Sequence, residues 1–341
     1  MKYITFTVPC FNSQEYMRKC VESLLKGGED VEIIIVNDGS KDDTLQIANE
    51  YAEKYPDIVR VVDKENGGHG SGVNAGIKLA QGLYYKVVDS DDWVDESALF
   101  KLLETIKSHV ENNCSPDLYI VNYVYEHVAD NTTHVSRYNK KFPTEKLCEW
   151  NSVKKFHYSH MLLMHSLVYK TEVLRKSGLL LPEHTFYVDD IFSYNPLPYA
   201  KTLYYLDIDF YRYFIGRADQ SVNIVNMVKR YEQQIRVMKE MTDCWTYKQI
   251  RSQVKGLRRY MFHALANYMM TTHLFICAEN SPERRAAFKE MWRHIKERDK
   301  KLYYKLRYST YVLWATLMPW RIRSFVLVRG YKYLCKKIKL G

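Results

Sequence analysis

Over roughly the first hundred residues, short apolar, β-branched runs alternate with segments whose apolar positions recur at helical spacing. This pattern predicts a sheet flanked by helices. Lys2 to Val8 reads as a first strand. Asn12, with Glu15 three residues on, reads as the cap of a helix whose apolar face is Met17, Cys20, Val21, Leu24 and Leu25, ended by Gly27 and Gly28. Val31 to Val36 is apolar without interruption, as a strand covered on both faces should be. A second helix is expected from Ser40 to Tyr55, stopped by Pro56, and then a strand from Val59 to Val62. The glycine-rich stretch Gly67 to Gly76 opens a third helix, and Leu83 to Val88 is a fourth strand that runs straight into acid.

Beyond Asp95 the pattern loosens. It predicts a helix to about Lys107, strands near Leu118 to Val124 and Thr133 to Arg137, and short elements to about Ser221. From Met227 onward Val228, Tyr231, Ile235 and Met238 keep helical spacing, so this part is expected to be mostly helical. The fold class that follows is α/β: a Rossmann-like, mostly parallel sheet flanked by helices, with a helical C-terminal extension. The chain has 341 residues, 46% of them hydrophobic, enough to bury a substantial core, and this excludes disorder as its main state.

Charge and cysteine usage narrow the class further. Of the net charge of +10, the segment from Arg293 to Gly341 carries fourteen Lys and Arg against Glu297 and Asp299, so the remainder is nearly neutral. The seven cysteines are odd in number, scattered and without CxxC spacing, which fits free thiols in a reducing cytoplasm. No basic segment followed by a long apolar core precedes the first strand, so the protein is expected to stay inside the cell. The basic, aromatic tail could meet phosphates and bases, but no nucleic-acid-binding motif accompanies it and no nucleic acid partner is expected.

The strongest local signal is Asp89-Ser90-Asp91-Asp92-Trp93, three carboxylates in four residues at the carboxyl end of a buried strand. Ligands bind at that end of an open α/β sheet. Crowded carboxylates repel one another unless solvent or a cation relieves them, and Mg²⁺ or Mn²⁺ shared with phosphate oxygens does so. A solvated acidic turn capping the next helix is the plainer reading. Val36-Asn37-Asp38-Gly39-Ser40 puts a second carboxylate at the same sheet edge, where Asp38 could accept from a base N–H. Val8-Pro9-Cys10-Phe11-Asn12 adds a stiff loop with an aromatic that either lies against a base or packs into the core. Gly70-Ser71-Gly72-Val73-Asn74-Ala75 fits a dinucleotide-binding pattern. However, it follows the third strand rather than the first, and its downstream acid belongs to a triplet, so an oxidoreductase is set aside.

Taken together, these segments resemble the family 2 glycosyltransferases of the GT-A fold, of the bacterial cell-surface polysaccharide type. The resemblance rests on Val8 to Asn12, on Val36 to Ser40 with Asp42-Asp43-Thr44, on Glu65-Asn66-Gly67-Gly68 with Asn74-Ala75-Gly76, and on Asp89 to Asp92, in matching order and spacing over about the first 110 residues. It implies a GT-A catalytic domain over 1–225, with a nucleotide-sugar-binding half at 1–110 and an acceptor-binding half at 111–225. Residues 226–341 would form a helical, basic region. It implies inverting transfer of a hexosyl or N-acetylhexosaminyl group from a UDP-sugar, with Mn²⁺ or Mg²⁺ as cofactor. Pro9, Phe11 and Asp38 should hold the uracil, with Asn66 and Gly68 in the donor site. Asp89 should lie near the ribose and metal shell, and Asp91 should bind the metal. The sequence departs from the family at Val73, where an arginine often stands.

Inverting transfer needs a base on the acceptor hydroxyl. Tyr187-Val188-Asp189-Asp190-Ile191-Phe192 resembles the family's acidic pair, which makes Asp190 the expected base and Asp189 an orienting or acceptor contact. Tyr211-Arg212-Tyr213 and Gly216-Arg217-Ala218-Asp219-Gln220-Ser221 resemble the segment that closes over the donor diphosphate. Arg212 and Arg217 read either as a phosphate clamp or as surface charge. Trp93 reads as a sugar platform or as packing, and His69 as a site neighbour or as packing. Tyr311 to Trp320 is apolar and aromatic, but Pro319, Arg321 and Arg323 interrupt it before a membrane-spanning length of about 20 residues. With Lys336-Lys337-Ile338-Lys339 it fits a segment lying at an anionic membrane surface, or else a solvated hairpin on the catalytic domain. The membrane reading implies a cytoplasmic protein, peripheral at the inner face of the cell membrane, acting on a glycan or lipid-linked acceptor. An inactive transferase-like scaffold and a nucleic-acid-binding protein are the alternatives.

Overall fold

The structure is a computed structural model that describes residues 1–127, 131–158, 160–216, 224–279 and 281–338, without the side chains of 224–225 and 334–338. It divides into two compact units, residues 1–154 with 162–214, and residues 155–161 with 215–341.

The first unit is built on a sheet of ten strands among the described residues. In chain order its elements are β1 (Ile4–Cys10), α1 (Met17–Leu25), β2 (Val31–Asp38), α2 (Thr44–Lys54), β3 (Val59–Lys64), α3 (His69–Leu79), β4 (Tyr84–Val87), β5 (Trp93–Val94), α4 (Glu96–Glu111) and β6 (Leu118–His127). There follow β7 (Thr132–Ser136), β8 (Leu147–Glu149), β9 (Leu167–Lys170), α5 (Thr171–Ser177), α6 (Asp189–Tyr194) and β10 (Thr202–Ile215). The strand order is β3-β2-β1-β4-β9-β6-β10-β5, with β7 on β6 and β8 on β10. β3, β2, β1 and β4 run parallel, as the alternation of strand and helix requires. From β4 to β9 the pairing turns antiparallel, so the sheet is mixed and its parallel half is the N-terminal one. β1 and β2 are buried along their whole length, as the uninterrupted apolar runs predict. Glu32, inside β2, is held by the Thr5 hydroxyl at 2.6 Å, the Gln81 N–H at 2.8 Å and Arg60 at 3.1 Å.

Register decides what meets at the carboxyl edge. Cys10 pairs with Asn37 at the ends of β1 and β2, and Thr7 pairs with Val87 at the end of β4. The loops carrying Phe11, Asp38 and Asp89 therefore leave one edge together. α3 lies against β1 because Gly76 has no side chain: a Cβ there would stand 2.1 Å from the Thr7 Oγ1. Of the glycines in the dinucleotide-like pattern, Gly72 lies against Pro9 of β1 and Gly70 against Leu181 and Pro182, so both serve close packing. The expected Asn12 cap is corrected. α1 begins at Met17, and Asn12, with φ at 50°, instead bridges to the β2–α2 loop, accepting from Lys41 N–H and donating its own N–H to Ser40. Likewise α2 starts at Thr44 rather than Ser40, because the Asp42 carboxylate takes the Thr44 N–H and hydroxyl.

The second unit contains α7 (Ile224–Lys229), α8 (Tyr231–Cys244), α9 (Tyr247–Ser252), α10 (Lys255–Cys277), α11 (Pro282–Arg298), α12 (Lys300–Tyr308), α13 (Val312–Leu317) and α14 (Trp320–Ile338). α10 is buried on nearly all sides and is the axis of this unit. Three of the unit's helix starts are capped by side chains: Thr246 and Gln249 form a reciprocal capping box at α9, Ser281 caps α11, and Asp299 accepts from Lys301 and Leu302 at α12. Among the described residues no helix is long and apolar enough to cross a membrane.

Candidate active site

The acidic run leaves β4 at the edge just described, and its carboxylates have different surroundings. Asp92 is buried; its Oδ2 accepts from the Tyr211 hydroxyl at 2.5 Å and its Oδ1 from the Phe214 N–H at 2.8 Å. Burial, with Asp91 and Asp89 close by, pushes the Asp92 carboxyl well above the ordinary range against the pull of those hydrogen bonds. Its place is structural, since it ties the end of β10 to the acidic turn.

Asp89 lies between two imidazoles. His69, the first residue of α3, has its Nε2 2.7 Å from Oδ1, and His165 has its Nε2 3.7 Å from Oδ2. Burial pushes the Asp89 carboxyl up, but the His69 charge and the contacts from both histidines outweigh it and hold it well below the usual carboxylate range. For His69 burial opposes the charged form, yet Asp89 above all, then Asp189 and Asp91, raise its pKa. His165 is buried, stacks on Tyr213 at 4.5 Å and meets Tyr211 edge-on at 4.7 Å. Beneath it Lys86, in the middle of β4 and fully buried, donates to the carbonyls of His165 at 2.8 Å and of Met164 and Leu167 at 3.3 Å. Burial lowers the Lys86 pKa to about 7.

Asp89, Asp92 and His165 offer ligand atoms within 4.8 Å of one another. Both Asp92 oxygens are taken by donors, so the groups fit to hold a divalent cation are Asp89 and His165, with Asp91 half-buried beside them. Carboxylate oxygens suit Mg²⁺ and Mn²⁺ alike.

The loops around this centre are tied together. Ser13 bonds Ser90 at 2.8 Å and takes the Phe11 N–H, leaving the Phe11 ring exposed and Pro9 buried behind it. Asp38 is buried; its Oδ1 accepts from Gly67 N–H at 2.9 Å and Lys64 at 2.8 Å, and its Oδ2 from Gly68 N–H at 2.7 Å. Asn66 donates to the Asp38 carbonyl at 2.8 Å. Asn74 clamps the backbone of Leu181 in both directions at 2.9 Å, and His184 N–H meets the Gly67 carbonyl at 2.6 Å. These bonds dock the segment before α6 on the glycine loop. Two non-glycine residues of that segment, His184 and Tyr187, have left-handed backbones, with φ of 49° and 63°. α6 then opens with Asp189 and Asp190. Burial raises the Asp189 pKa, and the charges that act on it are His165, His69 and Asp89, so Asp189 faces this centre. Asp190 follows in the same first turn, half-buried.

The structure thus gathers Pro9, Phe11, Asp38, Asn66, Gly68, Asp89, Asp91, Asp189 and Asp190 around one sheet edge. It does not bring Arg212 or Trp93 to the Asp89 cluster. Side chains alternate along β10, so Tyr211 and Tyr213 point to Asp92 and His165, while Arg212 points the other way and binds Asp95 at 2.7 Å and Glu126 at 2.9 Å. Trp93 is the cross-strand partner of Arg212, and the Lys19 ammonium covers its ring 2.9 Å from the centroid. Arg217 and its neighbours to Ser221 lie outside the described residues. Sequence reasoning missed His165, Tyr211, Tyr213 and Lys86 as site residues. A lysine inside the apolar run Tyr84–Val87 was a signal for Lys86, and the Tyr211-Arg212-Tyr213 motif one for the two tyrosines.

The sequence profile of glycosyl transferase family 2 matches residues 5–171. Two Bacillus subtilis proteins named as glycosyltransferases are similar: EpsH, 30% identical over 239 residues, and EpsJ, described as uncharacterized, 30% identical over 217. The matches cover 68% and 62% of this chain but 64% and 60% of those proteins. In fold, the chain resembles residues 1–349 of S. aureus TarS, solved in complex with UDP-GlcNAc, with a TM-score of 0.63 at 20% identity over 99% of this chain and 92% of that one. Motifs, edge geometry and profile agree: residues 5–171 belong to glycosyl transferase family 2.

Proposed function

We propose that the chain is a divalent-metal-dependent, inverting glycosyltransferase that moves a hexosyl or N-acetylhexosaminyl group from a UDP-sugar to a glycan or lipid-linked acceptor in surface polysaccharide synthesis. The observation that carries this reading is the convergence of the Phe11, Asp38, glycine-rich and Asp189–Asp190 segments on Asp89 at one sheet edge. The UDP-sugar held by TarS supports the donor class.

The exposed Phe11 ring, stiffened by Pro9, receives the uracil face. A carboxylate has roughly four acceptor positions; Asp38 uses three on Gly67, Gly68 and Lys64, and one remains for a base N–H. Asp91 and Asp89 are the metal ligands, with His165 as a third donor, and a bound Mn²⁺ or Mg²⁺ supplies positive charge for the departing diphosphate. Arg217 is retained as a diphosphate contact, whereas Arg212 is committed to Asp95 and Glu126. Asp190 takes the proton of the acceptor hydroxyl on the face opposite the leaving nucleotide, with Asp189 orienting the acceptor. The basic segment from Arg293 supports a peripheral position at the inner face of the cell membrane.

Calorimetric titration of UDP, with and without Mn²⁺, into the wild type and Asp91→Asn tests the donor and metal roles together. Metal-dependent binding that the variant loses is the expected result. UDP binding that is absent with and without metal would leave only the fold in common with transferases.

A further inference from the structure

α14 is amphipathic with its faces reversed. At about 100° per residue, Ile322, Phe325, Val326, Arg329 and Tyr333 fall on one stripe about 100° wide. The stripe points outward: Phe325 is 61% exposed and Ile322 53%. The opposite face carries Arg323, only 7% exposed, whose guanidinium donates to the carbonyls of Thr316 at 2.9 Å and Met318 at 3.0 Å and lies over the rings of Phe288 and Trp320. α13 repeats the pattern, burying Val312 and Ala315 while Trp314 is 68% and Leu317 64% exposed. Burying an arginine while large apolar side chains face outward is unfavourable in water alone, so this surface requires an apolar partner.

Charge identifies that partner. From Lys300 to the end there are eleven Lys and Arg and no Asp or Glu, and Arg321, Arg329 and Lys332 are exposed beside or within the stripe. A second copy docked face to face would bring these cations together with no acid to offset them. A lipid surface with anionic headgroups offers both an apolar interior and opposite charge. We propose that the α13–α14 surface docks on anionic lipid by inserting Trp314, Leu317, Ile322 and Phe325 between headgroups, with Arg321, Arg329 and Lys332 on the phosphates. This deepens the peripheral placement given above, and it can fail while the donor site stands.

The test is co-sedimentation of the full chain with phosphatidylcholine vesicles, with and without phosphatidylglycerol. The wild type is compared with the uncharged double variant Ile322→Ser/Phe325→Ser. Both side chains face outward, so the helical signal and UDP titration should match the wild type. Partitioning onto anionic vesicles should fall by about tenfold or more, and the wild type should keep part of its binding at high salt, as insertion requires. Equal binding by the double variant, or complete release of the wild type by salt, would overturn the proposal. So would a wild type that dimerises through this face and ignores vesicles. Should the double variant lose its helical signal, quenching by brominated lipid decides: it should reach Trp314 in the wild type and weaken in Trp314→Phe, and unchanged quenching would refute insertion.

Discussion

In the sheet unit the buried acids Glu32, Asp38 and Asp92 are answered by N–H and O–H donors from other elements, and buried Lys86 by three carbonyls between Met164 and Leu167. In the helical unit the buried charges among the described residues are Arg284 and Arg323, held mainly by main-chain carbonyls: Phe275 and Val228 for the first, Thr316 and Met318 for the second. A buried acid at a strand end gathers loop N–H groups and so fixes the loops around an open edge, which is how a site becomes preorganised. A guanidinium on carbonyls near helix ends fastens helix to helix and frees the outer face for apolar side chains. The same need, to satisfy a buried charge, produces a site in one unit and a surface in the other.

The sharpest way to break this contrast is at α6. Asp190→Asn should lower turnover by about 10³-fold while UDP affinity stays within a few-fold, because the base acts on the acceptor and not on the nucleotide. A parallel loss of UDP binding in calorimetry would remove Asp190 from that role. Next in size is Lys86→Met, which keeps the stem and strips the donor from three buried carbonyls. About 3 kcal/mol of stability should go, read as a lower urea midpoint with an unchanged slope. A midpoint equal to that of the wild type would mean that this lysine does not hold the His165 loop.

How much of this was legible in the sequence follows from where the forces act. β1 and β2 could be read because strands covered on both faces have apolar runs that announce them, and Phe11, Asp38 and Asp89 met at one edge because parallel register leaves little choice. Asn12 misled because an Asx side chain serves a neighbouring loop as well as a helix start. β10 was missed as a single strand because its Asp207 and Asp209 look like loop residues, and Asn122 and Arg137, far off in sequence, with the Tyr205 hydroxyl on Asp207, make them tolerable within the sheet. Arg212 was read as a phosphate clamp or surface charge and Trp93 as a sugar platform or packing; strand alternation sends both to the other face. His165 carried no motif; Lys86 and Tyr213, from elsewhere in the chain, hold it beside Asp89.

Asn74→Ala tests whether the glycine loop positions the acidic pair. Two hydrogen bonds to the Leu181 backbone are lost, about 2 kcal/mol together. If the loop positions Asp190, kcat should fall further than the KM for donor rises. Equal changes in both would show that Asn74 supports the donor site as a whole.

The smallest effect at neutral pH belongs to the helical unit, and it grows as pH falls. His273 is fully buried, neither ring nitrogen has a partner, and burial first, then Arg323 and Arg307, lowers its pKa from 6.5 to about 3. Below pH 6.5 the unfolded chain binds a proton that the folded chain refuses, so the wild type loses stability as pH falls from 6.5 towards 3. His273→Phe removes that proton site and leaves no orphaned nitrogen, so at neutral pH it should be as stable as the wild type or slightly more so. Below pH 6.5 the difference should grow in favour of the variant by about 1.4 kcal/mol per pH unit. Thermal or urea unfolding of the two proteins across this range gives the slope directly, and parallel curves would mean that His273 stays protonated in the folded chain with a partner for its charge.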